Sequence, residues 1–148
     1  MPVEISEKDT LGHVMSSPVT TMDSNGTLGD AAQLMIQHDI GSVVVVEGKN
    51  PVGIITERDI TKQVVKGTDV LKKRVKEVMS KPLLTAPPSL AVQDAFELML
   101  KSKVRRLPIL DGKELKGIAT TQDIMRWVLR VSYEPNIPNH IKAILGAR

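Results

Sequence analysis

A threonine followed three residues later by an aspartate occurs twice in this chain, as Thr56 with Asp59 and as Thr120 with Asp123. This spacing suits the start of a helix, where the hydroxyl satisfies an orphan backbone N–H and the carboxylate reaches back. It also suits an anion site, because a helix N-terminus offers free N–H groups and positive dipole charge. An acid one turn into the helix can accept hydrogen bonds from both hydroxyls of a ribose. The motif alone therefore allows a purely structural and a ligand-binding interpretation.

The residue between threonine and aspartate separates the two motifs. Arg58 stands beside the first helix start, where a guanidinium can hold a phosphate through two parallel hydrogen bonds. The second motif has Gln122 at the equivalent position. The first motif is therefore predicted to suit a phosphate-bearing ligand better than the second.

The elements that must position these motifs are themselves duplicated. Residues 14–65 align without a gap on residues 78–129, at a constant shift of 64 (78 − 14). A fixed period of this length, present twice, indicates a pair of small domains and not a solenoid. We expect the two copies to pack about a pseudo-twofold axis. The matching pairs include Met15 with Met79, Pro18 with Pro82, Asp30-Ala31 with Asp94-Ala95, Gly53 with Gly117, and Asp59 with Asp123.

Each copy predicts a β-α-β-β-α unit, which makes the fold class α+β. Apolar residues at helical spacing predict the first helix, and unbroken β-branched runs predict a strand buried on both faces. A Gly-Lys turn then predicts a hairpin. The predicted elements are extended lead-ins at 15–18 and 79–82, helices through Leu28–Met35 and Val92–Met99, central strands at Ile40–Val46 and Val104–Leu110, hairpin strands at Val52–Thr56 and Lys116–Thr120, and helices entered from Thr56 and Thr120.

These elements divide the chain into a first unit at 10–66, a linker at 67–77, a second unit at 78–131 and a tail at 132–148. The tail contains a possible helix at 139–145. The linker is predicted to hold one short helix, whose dense basic stretch from Lys72 to Lys76 is interpreted as a solvated face. Its apolar residues are Val70, Leu71, Val75 and Val78.

Composition narrows the functional classes. The 148 residues carry a formal charge of +3, with 41% hydrophobic and 25% charged residues, as expected for an ordinary folded domain. One Trp, one Tyr and one Phe leave almost no stacking platform, which disfavours single-stranded nucleic acid as a ligand. No apolar run approaches the ~20 residues that span a bilayer, and no secretory leader is recognisable. We expect a cytoplasmic protein without a membrane partner.

Catalysis and metal binding find little support in the residues. The chain has no cysteine, which excludes disulfides and thiolate metal sites. His13, His38 and His140 are widely spaced and lack the His-x-x-x-His ligand pattern. No nucleophile elbow, P-loop or Gly-x-Gly-x-x-Gly motif is present. We therefore predict no catalytic residue, no metal and no catalytic cofactor.

The repeat resembles the CBS domain, named after cystathionine β-synthase, present as a tandem pair over about residues 10–131. The resemblance implies two units packed sheet to sheet, with two clefts between them that commonly bind adenine nucleotides or related adenosyl ligands. It also implies a homodimer, because such modules commonly pair into a flat disc. The residues that carry it are Met15, Pro18, Asp30-Ala31 and their counterparts, Leu107–Leu110, and the stretches Gly53–Asp59 and Gly117–Asp123.

The resemblance also implies roles for individual residues. Asp59 and Asp123 would hold the ribose, and Arg105 and Arg106 would extend toward phosphates at a mouth shared by both clefts, although a surface arginine pair is often only solvated. Adenine would lie between the segment after each proline and the start of the central strand. The expected ligand contacts are Val19, Thr20, Ile40, Gly41, Ser42, Thr56, Arg58 and Asp59 in the first motif, and Leu84, Val104, Arg105, Arg106, Thr120, Gln122 and Asp123 in the second.

The sequence thus predicts a non-catalytic regulatory module that senses an adenine nucleotide, with AMP favoured and ADP or ATP next, and signals to an unidentified protein. One alternative is a sensor of S-adenosylmethionine or a related compound, for which Arg58 would have no phosphate to hold. Another is a ligand-free interaction module in which each threonine–aspartate pair only caps a helix. A nucleic-acid binder, which would show steep salt dependence, is the least favoured.

Overall fold

The structure, a computed structural model, describes residues 9–133 and Asn139. The predicted tail at 132–148, with its possible helix, falls largely outside these residues. The helices and strands are α1 (Leu11–Val14), β1 (Thr21–Asp23), α2 (Leu28–His38), β2 (Ser42–Glu47), β3 (Asn50–Thr56), α3 (Glu57–Val64), a 3-10 turn (Val70–Lys72), α4 (Val75–Val78), α5 (Val92–Ser102), β4 (Arg106–Asp111), β5 (Glu114–Thr120) and α6 (Thr121–Tyr133).

Each unit is built on an antiparallel strand pair with a helix before it and a helix after it. In the first unit β2 also pairs with β1 in parallel, which gives the strand order β1-β2-β3. In the second unit the counterpart of β1 is reduced to a single parallel bridge between Ala86 and Ile109. Pro87 and Pro88 follow Ala86 and have no N–H to extend the ladder. The predicted α+β architecture is confirmed.

Both central strands begin two residues later than predicted. Helix α2 is capped at its C-terminus by Asp39, whose φ of 51° is left-handed, and Ile40 N–H then donates to the carbonyl of Met35. The Gly41 carbonyl accepts from the N–H of Glu57, at the start of α3. The backbone groups of Ile40 and Gly41 are thus bonded to helix ends and not to a neighbouring strand. Lys103, Val104 and Arg105 repeat the arrangement in the second unit.

Two hydrophobic cores form, and each takes a residue from outside its own unit's main elements. Val43, Val44 and Val45 are fully buried, as the unbroken β-branched run predicts. Val75 from the linker helix α4 completes the first core. Leu11 from α1 belongs to the second core, where it joins Ala86, Val92, Ala95, Met99, Leu107, Ile109, Ala119, Ile124 and Trp127.

The extended lead-ins cross over between the units. Ser16 forms an antiparallel bridge with Ile118 of β5, and Ser80 forms the same bridge with Ile54 of β3. The two bridges match at the shift of 64, which fits a pseudo-twofold relation. The peptide bonds before Pro18 and Pro82 are both cis. Each lead-in thereby pairs with the outer strand of the other unit's sheet, which would otherwise present unpaired backbone groups.

Glycine permits this crossing. A Cβ atom on Gly53 would lie 2.5 Å from the sulfur of Met79 and 2.9 Å from the backbone oxygen of Ser80. Gly117 stands in the same relation to Met15, at 2.6 Å from the sulfur. The repeated Met and Gly are therefore partners across the two units, because only a residue without a side chain admits the opposite lead-in.

The linker does not form the single helix that was predicted. Its apolar residues fall instead in the 3-10 turn and in α4, with Lys73 and Arg74 extended between them at ψ of 144° and 139°. The Lys73 carbonyl accepts from the N–H of Leu28, at the start of α2. This bond to a neighbouring helix end requires extended backbone, which breaks the helix. The basic side chains of this stretch are exposed as predicted, whereas Val75 between them is buried. They are Lys72, Lys73, Arg74 and Lys76.

Candidate functional site

Both threonine–aspartate pairs form the predicted capping box. Thr56 Oγ1 accepts from the N–H of Asp59 at 3.2 Å, while Asp59 Oδ2 accepts from Thr56 N–H and from its hydroxyl, each at 2.9 Å. Thr120 and Asp123 repeat the three bonds at 3.3, 2.9 and 3.0 Å. The structural interpretation is confirmed in both units. It occupies one carboxylate oxygen, so any ligand chemistry depends on the other.

The residues predicted for the first motif gather at one end of the first sheet. Ser42 pairs with Thr56 across β2 and β3, and Gly41 is bonded to the start of α3. The Thr20 carbonyl accepts from the N–H of Val44 at 3.2 Å, which ties the segment after Pro18 to the same strand. Three predicted neighbours lie beside them: Val19 and Ile40 are half-buried, and Arg58 is exposed on the first turn of α3.

The second motif repeats the strand pairing and the helix start with different side chains, except that Pro108 stands where Val44 donates to Thr20. Arg106 pairs with Thr120, and the N–H of Thr121 donates to the Arg105 carbonyl at 3.0 Å. Leu84, the counterpart of Thr20, packs against the second core. Of the other predicted contacts, Val104 also packs against that core, while Gln122 is exposed. The adenine-side segment is therefore more apolar in this unit.

Arg106 belongs to the second unit, yet its guanidinium reaches the first motif. A Cβ atom on Gly41 would lie 2.6 Å from Arg106 Nη2 and 3.4 Å from Glu57 Oε1. Burial lowers the pKa of Arg106; the carboxylate of Glu57 opposes this, Arg105 adds to it, and Asp59 again opposes it. The sequence grouped Arg106 with the second motif and expected it at a mouth shared by both clefts. Its position beside Gly41 is compatible with that shared mouth, because the pseudo-twofold packing faces β4 toward Gly41.

A second difference concerns the two aspartates. Asp123 Oδ1 lies 3.5 Å from Arg126 Nη1, and the Asp123 side chain is only 2% exposed. Asp59 is partly exposed and lines a cleft of about 400 Å³ with Lys62 and Lys66. Sequence reasoning missed Arg126. It could have been found by comparing position 126 with position 62, its counterpart at the shift of 64.

A wider cleft, of about 740 Å³, lies at the opposite, hairpin end of the units. It is lined by the first lead-in and by both hairpins, with Lys49, Lys113 and Lys116 at its rim. Among the predicted ligand contacts only Val19 reaches it. Volume alone would favour this cleft. The chemistry favours the motif end, where a half-buried guanidinium, two carboxylates and a helix start converge.

Residues 9–133 contain no group of three or more His, Asp or Glu side chains arranged to hold a metal ion. No helix in this range is long and apolar enough to cross a bilayer.

Known proteins match the chain over most of its length. The CBS protein YhcV of Bacillus subtilis is 39% identical over 120 residues, which cover 80% of this chain and 82% of YhcV. An uncharacterized protein of Methanopyrus kandleri, MK0525, is also 39% identical over 120 residues, which cover 79% of this chain and 61% of that protein.

Solved structures share the fold. A putative signal-transduction protein with CBS domains from Burkholderia ambifaria is 28% identical, with a TM-score of 0.79, over 88% of this chain and 98% of that one. The CBS domain pair of protein MJ0100, solved in complex with 5'-methylthioadenosine and S-adenosyl-L-methionine, is 30% identical, with a TM-score of 0.73, over 79% and 93%.

The duplication seen in the sequence is also the unit that the family model recognises. The model of the CBS domain matches twice, at residues 11–66 and 75–130. Each match contains one threonine–aspartate motif and the lead-in that crosses to the other unit. The chain belongs to the CBS domain family, as a tandem pair.

Proposed function

We propose that this protein is a non-catalytic regulatory module that binds an adenine nucleotide at the first motif, with AMP preferred over ADP and ATP. The observation that carries the proposal is the guanidinium of Arg106, half-buried beside Gly41 and within the electrostatic influence of Glu57 and Asp59. A cation suited to a phosphate and a carboxylate suited to a ribose therefore lie in one site.

The backbone at this end supports the adenine side of the proposal. The segment of Val19 and Thr20 lies along the start of β2, where main-chain groups and aliphatic side chains can read and sandwich a base. Arg58 adds a second cation on the first turn of α3, and the helix start itself favours an anion. One phosphate satisfies these groups, which is why AMP is placed first.

Isothermal titration of the purified protein with AMP tests the proposal. We expect a Kd of about 1 μM, which corresponds to roughly 8 kcal/mol. Asp59→Ala should abolish binding, and Arg106→Ala should weaken AMP but not adenosine. The matched control is Asp30→Ala, because Asp30 closes the same capping box with Thr27 at the start of α2 and is not among the motif residues. If Asp30→Ala lost AMP equally, the effect of Asp59→Ala would reflect helix capping and not a ligand contact.

S-adenosylmethionine is the second candidate. The CBS pair of MJ0100, 30% identical to this chain, was solved with this compound and 5'-methylthioadenosine. These ligands carry no phosphate, so their affinity should not depend on Arg58 or Arg106. Titration of the Arg58→Ala and Arg106→Ala variants with both ligand classes separates the candidates. Absence of binding by every adenosyl ligand, after removal of any copurified one, would favour the interaction-module alternative.

We propose further that the module acts as a cytoplasmic homodimer that reports occupancy to a partner protein by population shift, in the manner of an energy sensor. Apolar side chains exposed on the helices of both units support a dimer. Ile36 and Leu100, which are equivalent positions of α2 and α5, are 85% and 62% exposed. Sedimentation of the Ile36→Lys/Leu100→Lys double variant should show monomers where the unmodified chain shows dimers. The other exposed apolar residues are Val64, Val65, Leu71, Phe96, Met125 and Val128.

A further inference from the structure

We propose that Arg126 closes the second motif to a ribose, so that the chain binds one adenine nucleotide, at the first motif only. This inference rests on the proposed function. It adds which of the two duplicated motifs binds the nucleotide, and which residue causes the difference. It depends on contacts within the second unit and on the equivalent position of the first.

Both oxygens of the Asp123 carboxylate already face partners within the second unit. Its Oδ2 accepts from the backbone N–H and the hydroxyl of Thr120, at 2.9 and 3.0 Å. Its Oδ1 faces Arg126 Nη1 at 3.5 Å. With only 2% of the side chain exposed, a sugar hydroxyl could reach Asp123 only if Arg126 moved away.

Displacing Arg126 is unfavourable because of its own surroundings. Nη1 is buried and makes no hydrogen bond within the described residues, so the negative charge of Asp123 is its compensation. Drawing the carboxylate toward a neutral ribose would leave a buried guanidinium N–H without that compensation. A ligand at the second motif must therefore overcome a cost that the first motif does not impose.

The first unit shows what the motif looks like without this arginine. Lys62 occupies the equivalent position on α3, where its side chain is exposed. Within residues 9–133 no ion pair joins it to Asp59, and the two line the 400 Å³ cleft together. A lysine ammonium is compact and strongly hydrated, so it remains in water, whereas the less hydrated guanidinium settles against the acid. A single residue type thus separates an open motif from a closed one.

The test exchanges the two residues and counts sites by titration with AMP. The unmodified chain should bind one AMP per chain. Asp59→Ala should remove that site, and Asp59→Ala/Arg126→Lys should bind AMP again, now at the second motif. Adding Asp123→Ala to that variant should abolish the recovered binding. In the reverse direction, Lys62→Arg should weaken the first site about tenfold or more.

Two equal sites in the unmodified chain would overturn the inference, as would failure of Asp59→Ala/Arg126→Lys to recover binding. Arg126→Ala is a second variant, needed in case the lysine of Arg126→Lys itself pairs with Asp123. Circular dichroism checks that each variant is folded. If the unmodified chain binds no AMP, the proposed function fails by itself. AMP binding that appears only in Arg126→Lys would then contradict a working first motif and still support closure of the second by Arg126, whereas absence in both proteins would contradict the inference together with the proposed function.

Discussion

At the first motif the carboxylate of Asp59 faces a cleft, whereas at the second the carboxylate of Asp123 lies buried against Arg126. The two sites share the capping boxes and the carbonyls of Gly41 and Arg105 that accept from the following helix, although Pro108 cannot repeat the bond from the Val44 N–H to Thr20. Duplication therefore fixed most of the scaffold, while a few side chains make the two sites chemically different.

The same contrast extends to the interior. Trp127 fills the second core, and its Nε1 donates to Asp9 Oδ2 at 2.7 Å. Gln63 is its counterpart in the first unit and accepts from Lys73 Nζ near the surface. The second unit thus has a buried aromatic residue at this position. The first unit has a polar residue there, which lines the 400 Å³ cleft.

Replacing this aromatic residue should give the largest effect. Trp127 is 6% exposed, so Trp127→Ala removes a large buried ring and should lower the free energy of unfolding by about 3–5 kcal/mol. Gln63→Ala should change it by about 0.5 kcal/mol or less. Urea unfolding measures both free energies. It should be followed by far-UV circular dichroism, because Trp127 is the only tryptophan and its removal abolishes the tryptophan fluorescence signal. Equal losses in the two variants would show that the units do not differ in this respect.

Gly41→Ala should erase the main chemical advantage of the first motif. The added methyl group displaces the flexible end of Arg106, so the fold should tolerate it. Affinity for AMP should fall about tenfold, which is the loss expected for one charge-assisted contact. Affinity for adenosine should be unchanged, because it has no phosphate. A parallel loss for both ligands in titration would mean that the substitution disturbs the cleft as a whole.

Helix capping differs between the units and can be exchanged. Thr27 caps α2 through the N–H of Asp30, whereas Ala91 caps α5 with no side-chain bond. Thr27→Ala should lower the free energy of unfolding by about 1 kcal/mol. Ala91→Thr should raise it by a similar amount, because Asp94 already stands where a capping box needs an acid. Urea midpoints compare the two, and destabilisation by Ala91→Thr would contradict the exchange.

The smallest effect concerns pH. The backbone N–H and then the hydroxyl of Thr27 hold the pKa of Asp30 below its usual value of 3.8. The folded state therefore favours the charged form, and this contribution is present above the usual pKa and lost as pH falls through the lowered one. Asp30→Asn should make the urea midpoint less sensitive to acid below about pH 5. In Thr27→Ala, NMR titration should show the Asp30 pKa returning toward 3.8.

Much of this architecture could be read from the chain. The helices through Met35 and Met99, the buried strand of Val43 to Val45 and both hairpins followed from periodicity and turn residues. The linker prediction was wrong, because the Lys73 carbonyl bonds to the start of α2, a neighbour that no local pattern reveals. The four-residue helix α1 was missed for the same reason, since Leu11 is held in place by the second core.

The sequence by itself determined the duplication, the order of the main helices and strands within each unit, and the capping boxes, because these depend on spacing along a few residues. Only the tertiary structure decided which lead-in closes which sheet, and that the guanidinium of Arg106 from one unit lies beside Gly41 of the other. It also decided that Arg126 covers Asp123 while Lys62 leaves Asp59 accessible. Such outcomes depend on packing across a pseudo-twofold axis and on how each cation is hydrated, and neither is written in local sequence.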